Sequence, residues 1–340
     1  VYFGNSEKFQ IAVGQNTNAD FTIPGSEVLA NDLNPKLTSS TSISALNGGS
    51  GITAGSFTLT DRSGNSGTVS VSSSDTIGSL ISNINALGGN ITASINSAGS
   101  GLQLTDGSSV ISQALTVAEV SGGSTASDLG ILGQRDGNLS GSDLNPSITS
   151  GTLISDLNGG DGLTLNQISI VNSSASGTVT LSSATTIGEV INLIDSSAFN
   201  VTASINSSGN SLLVNSNDSS TVAIVKNVGT DETAENLGLG GGKNVFTTLF
   251  KLRDALRADD SLAILASLEN LDSTLASVNN NRAVVGASLR RIDLSNYTLE
   301  KSIVDDSEQL AELEEADVVK SASDLANLQF ALQATLSATA

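Results

Sequence analysis

A long internal repeat is the feature that most limits how this chain can fold. The phrase ITASINSAGSGLQL begins at Ile91, and VTASINSSGNSLLV begins at Val201. The similarity extends outward, so that NDLNPKLTSSTSISALNGGSGI from Asn31 matches SDLNPSITSGTLISDLNGGDGL from Ser142. Because a sequence repeated at a fixed spacing indicates a repeated structural unit, two copies of one module are predicted over roughly residues 31–240.

Each copy changes from the hydrophobic period of strands to that of a helix and back. In the first copy, apolar and polar residues alternate on both sides of the turn DRSGNSG, which predicts a β-hairpin with one solvent-facing side. A helical period follows from Ile77 to Ile84, with Asp75 or Thr76 ahead of it as the cap. The ITASIN phrase then opens a second hairpin, and the second copy repeats this order. The module is therefore predicted to be a ββαββ unit of the α+β class.

Composition excludes most catalytic and metal-binding chemistry. The 340 residues include no Cys, His, Met or Trp. Disulfides, thiolate or imidazole metal ligands, Ser-His-Asp triads and Cys nucleophiles are therefore excluded. Paired carboxylates such as Asp305 and Asp306 lie on a predicted rod rather than in a cleft. We expect no enzymatic activity and no catalytic, cofactor-binding or metal-binding residues.

Charge and hydropathy limit the partners. The formal net charge is −20, and both nucleic acid and anionic lipid attract clustered Lys and Arg. No apolar run approaches the ~18 residues that a membrane-spanning helix needs. We therefore expect neither nucleic acid nor a membrane as a partner.

The pattern becomes helical from Val245 onward. A first helix is predicted to stop near ADDS, where Asp259 or Asp260 can cap the next one. After it, apolar residues recur at alternating steps of three and four, which is typical of a coiled-coil seam of about six heptads. The predicted seam consists of Leu268, Leu271, Leu275, Val278, Val285, Leu289, Ile292, Leu299, Ile303, Leu310 and Leu313. A helix over about residues 261–316 would be a rod roughly 80 Å long.

A seam of that length needs a partner of similar length. The last predicted helix, about residues 317–337, is too short. Its apolar stripe indicates either core of the coil or an assembly surface, and its terminal position favours assembly. That stripe is formed by Leu325, Leu328, Leu332 and Leu336. We expect the intact protein to carry an N-terminal helix that runs back along the rod, with the modules inserted between the two arms.

The predicted organisation is multidomain, with four parts. Residues 1–30 are a β-rich segment that leads out of the N-terminal arm. Residues 31–140 and 141–243 are the two repeat domains, and residues 244–340 are the C-terminal helical arm.

Three motifs of the helical arm resemble the C-terminal arm of the flagellin family. The pattern V-G-A-x-L-x-R-[IL]-D occurs at residues 285–293, and L-x-x-[IL]-E-x-[AV]-D occurs at residues 310–317. The third, L-x-x-[LM]-Q-x-x-L-Q-A, occurs at residues 325–334. Flagellins that form the filament tend to carry Asn where Arg290 stands, so the resemblance favours a hook-associated member of the family.

The repeats carry a further resemblance to that family. The phrase ASIN at residues 93–96 and 203–206, each time followed by a glycine-containing turn, is similar to the flagellin hook IN motif. The resemblance therefore extends over nearly the whole chain.

The resemblance implies a function in the bacterial flagellum. Family members pair their N- and C-terminal helices into a rod, pack into a tubular axial structure and project inserted domains outward. It implies an extracellular protein at the hook–filament junction, exported without a cleaved signal peptide. The implied partners are hook-associated protein 1, flagellin, further copies of this chain in a ring, and the flagellar export apparatus with its chaperone.

Two other functions fit the same sequence. One is a filament-forming flagellin, which differs from a junction protein in copy number. The other is a secreted adhesin or glycan-binding protein on a helical stalk, since the repeats are rich in Ser, Thr, Asn and Gly, although they lack an aromatic platform for sugar stacking.

Overall fold

The computed structural model describes residues 10–14, 17–20, 22–23, 25–173 and 175–338. The fold is mixed α+β, with several small antiparallel sheets followed by a C-terminal helix of 78 residues. The described residues form two compact units. One contains residues 25–279, and the other contains the described residues between 10 and 23 together with residues 280–338.

The described part of the predicted β-rich segment begins with a short hairpin. Strand β1 (Gln10–Gly14) pairs antiparallel with β2 (Thr17–Asp20), and a single helical turn, α1 (Gly25–Val28), follows. The first nine residues of that predicted segment lie outside the described residues.

The first repeat forms two antiparallel sheets against one amphipathic helix. One sheet has the strand order β4-β3-β7-β8 and the other has the order β5-β6-β9. The elements are β3 (Gly55–Thr60), β4 (Ser66–Val71), α2 (Ile77–Asn85), β5 (Ile91–Ile95), β6 (Leu102–Asp106), β7 (Leu115–Glu119), α3 (Thr125–Asp128), β8 (Gly133–Arg135) and β9 (Leu139–Ser140). The predicted order of hairpin, helix and hairpin is present, with further strands added after it.

The second repeat has the same arrangement with fewer strands. Its sheets have the orders β11-β10-β14 and β12-β13. The elements are β10 (Gln167–Asn172), β11 (Ala175–Thr180), α4 (Ile187–Asp195), β12 (Val201–Ile205), β13 (Leu212–Ser216), β14 (Ile224–Asn227) and α5 (Thr233–Asn236).

Local hydrogen bonds explain where the two amphipathic helices begin. The hydroxyl of Thr76 accepts from the backbone N–H of Ser79, and the Ser79 hydroxyl accepts from the N–H of Thr76. This reciprocal pair is a capping box, and Thr186 with Glu189 forms the same box ahead of α4. Of the two predicted caps for α2, Thr76 is the one used.

The strands after the second hairpin are absent from the ββαββ prediction. β7 pairs antiparallel with β3, with Leu59 opposite Val117, and β14 pairs in the same way with β10, with Ile170 opposite Val225. In both repeats the first strand of the module is therefore central in its sheet. Alternating hydrophobicity identifies such a strand but does not give the number of its neighbours, because both edges of a strand have the same side-chain pattern.

Each repeat has its own hydrophobic core, centred on its sheets and its helix. Phe57, Leu80 and Leu104 are buried in the first core, and Ile170, Val190 and Val214 occupy the second. Burying side chains of this size stabilises each core by about 1.5–3 kcal/mol per side chain.

Two helices complete the chain, α6 (Val245–Arg257) and α7 (Ser261–Ala338). The carboxylate of Asp260 accepts from the N–H of Ala263 at 3.0 Å and caps α7, which was one of the two predicted caps. The predicted boundary near residue 317, between a rod helix and a terminal helix, is wrong, because α7 is continuous there. No Gly or Pro lies between Gly286 and the end of α7 to interrupt it. None of the described helices combines the length and the apolar character required to cross a membrane.

Candidate functional site

The first turns of α7 pack on the second repeat through small side chains. The buried residues at this contact lie on one face, at Ala263, Ala266, Ser267, Asn270 and Thr274. The Asn270 amide donates to the carbonyl oxygen of Val225 in β14 at 2.8 Å, and Ala263 and Ala266 pack with Ile224. This contact was not predicted. Small residues at steps of three and four, which permit close approach of a helix, are the sequence signal for it.

The predicted leucine seam lies mainly outside this buried face. Leu271, Val278 and Ile292 are half-buried. The exposed members are Leu268, Leu275, Val285, Leu289, Leu299, Ile303, Leu310 and Leu313. Whether the seam pairs with another helix stays a prediction, and the structure establishes that most of it is open to solvent within the described residues.

The distal part of α7 carries a row of exposed apolar side chains. Every side chain from residue 296 to 313, and from 318 to 338, is exposed. The four leucines of the predicted terminal stripe, Leu325, Leu328, Leu332 and Leu336, are each more than half exposed, and Phe330 beside them is 72% exposed. A helix without tertiary packing is marginal in water, and a continuous apolar row on its surface indicates association with another chain.

A second apolar strip lies on α6. Phe246 and Phe250 stack with ring centroids 6.3 Å apart, and the Arg253 guanidinium lies 5.0 Å from the centre of the Phe250 ring. Leu249, on the same face, is also exposed. Aromatic and arginine side chains in this arrangement are enriched at protein–protein interfaces.

The opposite side of α6 is held to the second repeat by Lys251. Its Nζ donates to the carbonyl oxygen of Val214 at 2.6 Å and to Oδ1 of Asn215 at 3.2 Å. Burial lowers the pKa of Lys251 to about 8, and the nearby Asp254 carboxylate only partly offsets this. The ammonium group is thus a structural contact that fixes which face of α6 is exposed.

A groove of about 510 Å³ lies between the two repeats. Its walls are equivalent segments of the two copies, and the lining residues include Pro35, Lys36, Thr38, Thr41, Pro146, Thr149, Thr152 and Asp156. The Nζ of Lys36 lies 3.2 Å from Oδ1 of Asp156, which joins the two walls. None of the lining residues is aromatic, so the groove offers hydroxyl groups and one ion pair rather than a stacking surface.

Two buried carboxylates of the first repeat act as structural acceptors. Burial alone would raise the pKa of Asp61, but hydrogen bonds from the side chains and backbone N–H groups of Asn65 and Asn90 outweigh it and lower the pKa to about 2. Burial of Asp106 is likewise outweighed, chiefly by hydrogen bonds from Ser108 and Arg62, so its pKa is also lowered. Among the described residues, no cluster of three or more acidic, His or Cys side chains is placed to hold a metal ion.

Comparison with known protein families, curated proteins and solved structures found no match to this chain. The features that bear on function are therefore the exposed face of α7, the organisation of the repeats and the sequence motifs.

Proposed function

We propose that this chain is a non-catalytic structural protein of the flagellin type, which assembles through its long C-terminal helix and carries two repeat modules. In this proposal α7 is one arm of a coiled-coil rod, and the repeats are domains inserted between its two arms. The member of the family that we propose is hook-associated protein 3, the adaptor between flagellar hook and filament.

The observation that carries the proposal is the exposed apolar row on α7. Leu299, Ile303, Leu310 and Leu313 are all exposed and follow the heptad spacing of an assembly seam. Burial of one such side chain against a partner helix stabilises an assembly by about 1.5–3 kcal/mol, so a row of them is sufficient to drive association. The motifs at residues 285–293 and 325–334 lie on the same helix and support the family assignment.

The proposal extends to location and partners. The protein would be extracellular, at the hook–filament junction, after export without a cleaved signal peptide. It would contact hook-associated protein 1, flagellin and further copies of itself in a ring, and would pass through the flagellar export apparatus with a chaperone.

A paired set of variants tests the role of the helix. In the natural full-length protein, Leu299→Ser combined with Ile303→Ser removes two exposed apolar residues from the seam. The matched control is Val110→Ser combined with Ile111→Ser, because these residues of the first repeat are 65% and 66% exposed. We expect the seam variant to be exported but not incorporated into flagella, and the control to restore motility in a deletion strain. Equal incorporation of both variants would contradict the proposal.

The location is tested by immunogold electron microscopy with an antibody against residues 31–240. A single band where hook meets filament supports the junction protein. Label along the whole filament identifies a filament flagellin instead, and label on the cell body alone identifies an adhesin.

Glycan binding is a second candidate function, favoured by the hydroxyl-lined groove between the repeats. Its Thr38, Thr41, Thr149 and Thr152 side chains can donate to and accept from sugar hydroxyls. A glycan array probed with the whole chain tests it, with Thr41→Val combined with Thr152→Val as the variant that should lose any binding. Signal that is unchanged in this variant would exclude the groove as the site.

A further inference from the structure

Two short segments of identical sequence cross between the repeats. We name residues 32–35 the first arm and residues 143–146 the second arm. These are short segments, distinct from the helical arms of the rod, and both have the sequence D-L-N-P. Leu33 of the first arm is 1% exposed and belongs to the core of the second repeat. Leu144 of the second arm is also 1% exposed and belongs to the core of the first repeat. The first arm therefore begins one sequence repeat and completes the core of the other.

The first arm binds the second repeat through backbone hydrogen bonds. The N–H of Leu33 donates to the carbonyl oxygen of Asn210 at 2.8 Å, and the Leu33 carbonyl accepts from the N–H of Asn158 at 2.8 Å. The next carbonyl, of Asn34, accepts from the N–H of Gly159 at 2.7 Å. Backbone pairing on both sides of one buried leucine is the way extended peptides are commonly recognised.

The second arm makes the same three bonds to the first repeat. The N–H of Leu144 donates to the carbonyl oxygen of Ser100 at 2.9 Å. Its carbonyl accepts from the N–H of Asn47 at 2.7 Å, and the Asn145 carbonyl accepts from the N–H of Gly48 at 2.8 Å. The two receiving surfaces are thus equivalent in geometry as well as in sequence.

The repeated ASIN phrase builds these receiving surfaces. The side-chain oxygen of Asn206 accepts from the N–H of Asn210 at 3.0 Å, and that of Asn96 accepts from the N–H of Ser100 at 3.0 Å. These bonds hold the hairpin turn that presents the carbonyl oxygens of Asn210 and Ser100 to the arms. The L-N-G-G loops at residues 46–49 and 157–160 supply the N–H donors from the other side.

Each arm also contains a hydrogen bond between its own residues. The carboxylate of Asp32 accepts from the N–H of Asn34 at 2.9 Å, and Asp143 accepts from Asn145 at 2.7 Å. Each bond closes an Asx turn, and the proline that follows fixes one more backbone angle. A segment that is ordered locally loses less conformational entropy on binding, which favours recognition as an independent peptide.

We propose that each repeat contains a peptide-recognition site for a D-L-N-P segment, and that the site on the second repeat can take this segment from a second copy of the chain. The second arm follows directly after the first repeat, on which it docks. The first arm is separated in sequence from the second repeat by the entire first repeat. Its local concentration at its own site is therefore lower, so the first arm is the one open to exchange.

Peptide binding tests the recognition site. The whole chain with Leu33→Ala has a weakened first arm, and fluorescent peptides of residues 29–37 and 140–148 supply the two natural segments. We expect both peptides to bind this variant and raise its melting temperature, with at least about tenfold weaker binding to the unsubstituted chain, whose sites are occupied. The control peptide carries Asp in place of the buried leucine and should not bind.

Failure of both peptides to bind, or equal binding of the control peptide, would overturn the recognition site. If Leu33→Ala does not fold alone, the natural peptides should restore folding when present during refolding, and no restoration counts against the proposal in the same way.

The source of the segment is tested by refolding the unsubstituted chain at increasing concentration and measuring mass by light scattering. We expect dimers that are lost in Leu33→Ala and retained in Leu144→Ala. Dimers that form equally in both variants, or monomers throughout, would overturn the second copy as the source.

Discussion

Asp61 and Asn172 occupy equivalent positions at the end of the central strand in the two repeats, yet they make opposite hydrogen bonds. Asp61 accepts from the backbone N–H and the side chain of Asn90. Asn172 donates from its amide to the carbonyl oxygens of Phe199, at 2.8 Å, and Asn200, at 3.0 Å. The same buried corner is therefore held by a carboxylate in the first repeat and by an amide in the second.

This difference predicts acid sensitivity in the first repeat. The pKa of Asp61 is lowered to about 2 in the folded chain, below its ordinary value of 3.8. The carboxylate therefore contributes stability that is complete above about pH 4 and is lost as the pH falls toward about 2. We expect the free energy of unfolding in urea to decrease over this range, and to decrease less in Asp61→Asn. An equal acid dependence in both chains would assign it to other groups.

The reciprocal substitution in the second repeat, Asn172→Asp, should make the free energy of unfolding depend on pH in the opposite direction. Asn172→Asp places a carboxylate against two carbonyl oxygens, and we expect it to lower the free energy of unfolding at neutral pH by about 3 kcal/mol. Acid should recover part of this loss, because a protonated carboxyl can donate to one of the carbonyls. Urea unfolding at neutral and acid pH measures both effects, and a loss that grows in acid would contradict the prediction.

The turn that receives the first arm should not tolerate a side chain. Gly209 has φ +65°, and a Cβ added there would lie 2.4 Å from Cβ of Ser147. Gly229 has nearly the same φ, +63°, but no atom lies within 4 Å of its Cβ position. We expect Gly229→Ala to cost about 1 kcal/mol from backbone strain alone and Gly209→Ala to cost at least twice that. Thermal unfolding compares them, and similar losses would show that Ser147 moves away freely.

Stability should depend on side-chain size at the buried face of α7, which carries small residues, and not at its exposed leucines. Ala263 is fully buried in a cluster with Ile224, Ala255 and Ala266, so Ala263→Leu overpacks the contact and should cost about 1–3 kcal/mol. Leu265, two positions along the helix, is 66% exposed, and Leu265→Ala should change stability by less than about 0.5 kcal/mol. Urea unfolding of the unassembled chain measures the free energy of unfolding of both variants. A larger loss of stability in Leu265→Ala than in Ala263→Leu would show that the face of α7 containing Ala263 is not the one that packs on the second repeat.

The elements predicted from the sequence are those whose signals are local. Alternation predicts the hairpins β3–β4 and β12–β13, and a change of composition marks the start of helix at Val245. Capping patterns limit the starts of α2 and α7 to two candidate residues each, of which the structure uses Thr76 and Asp260. Such patterns determine the backbone directly, because the hydrogen bonds they use are made between neighbours in the chain.

Contacts between distant segments were decided by tertiary structure. Three such contacts depend on which surfaces meet. They are the pairing of β7 with β3, the burial of Leu33 in the second core, and the packing of α7 through Ala263 rather than Leu268. Hydrophobic burial is not directional, so a pattern of apolar residues identifies a face without naming its partner. The sequence by itself determined two repeats and a long helix, and only the packed chain determined that the core of each repeat is completed by the segment that begins the other.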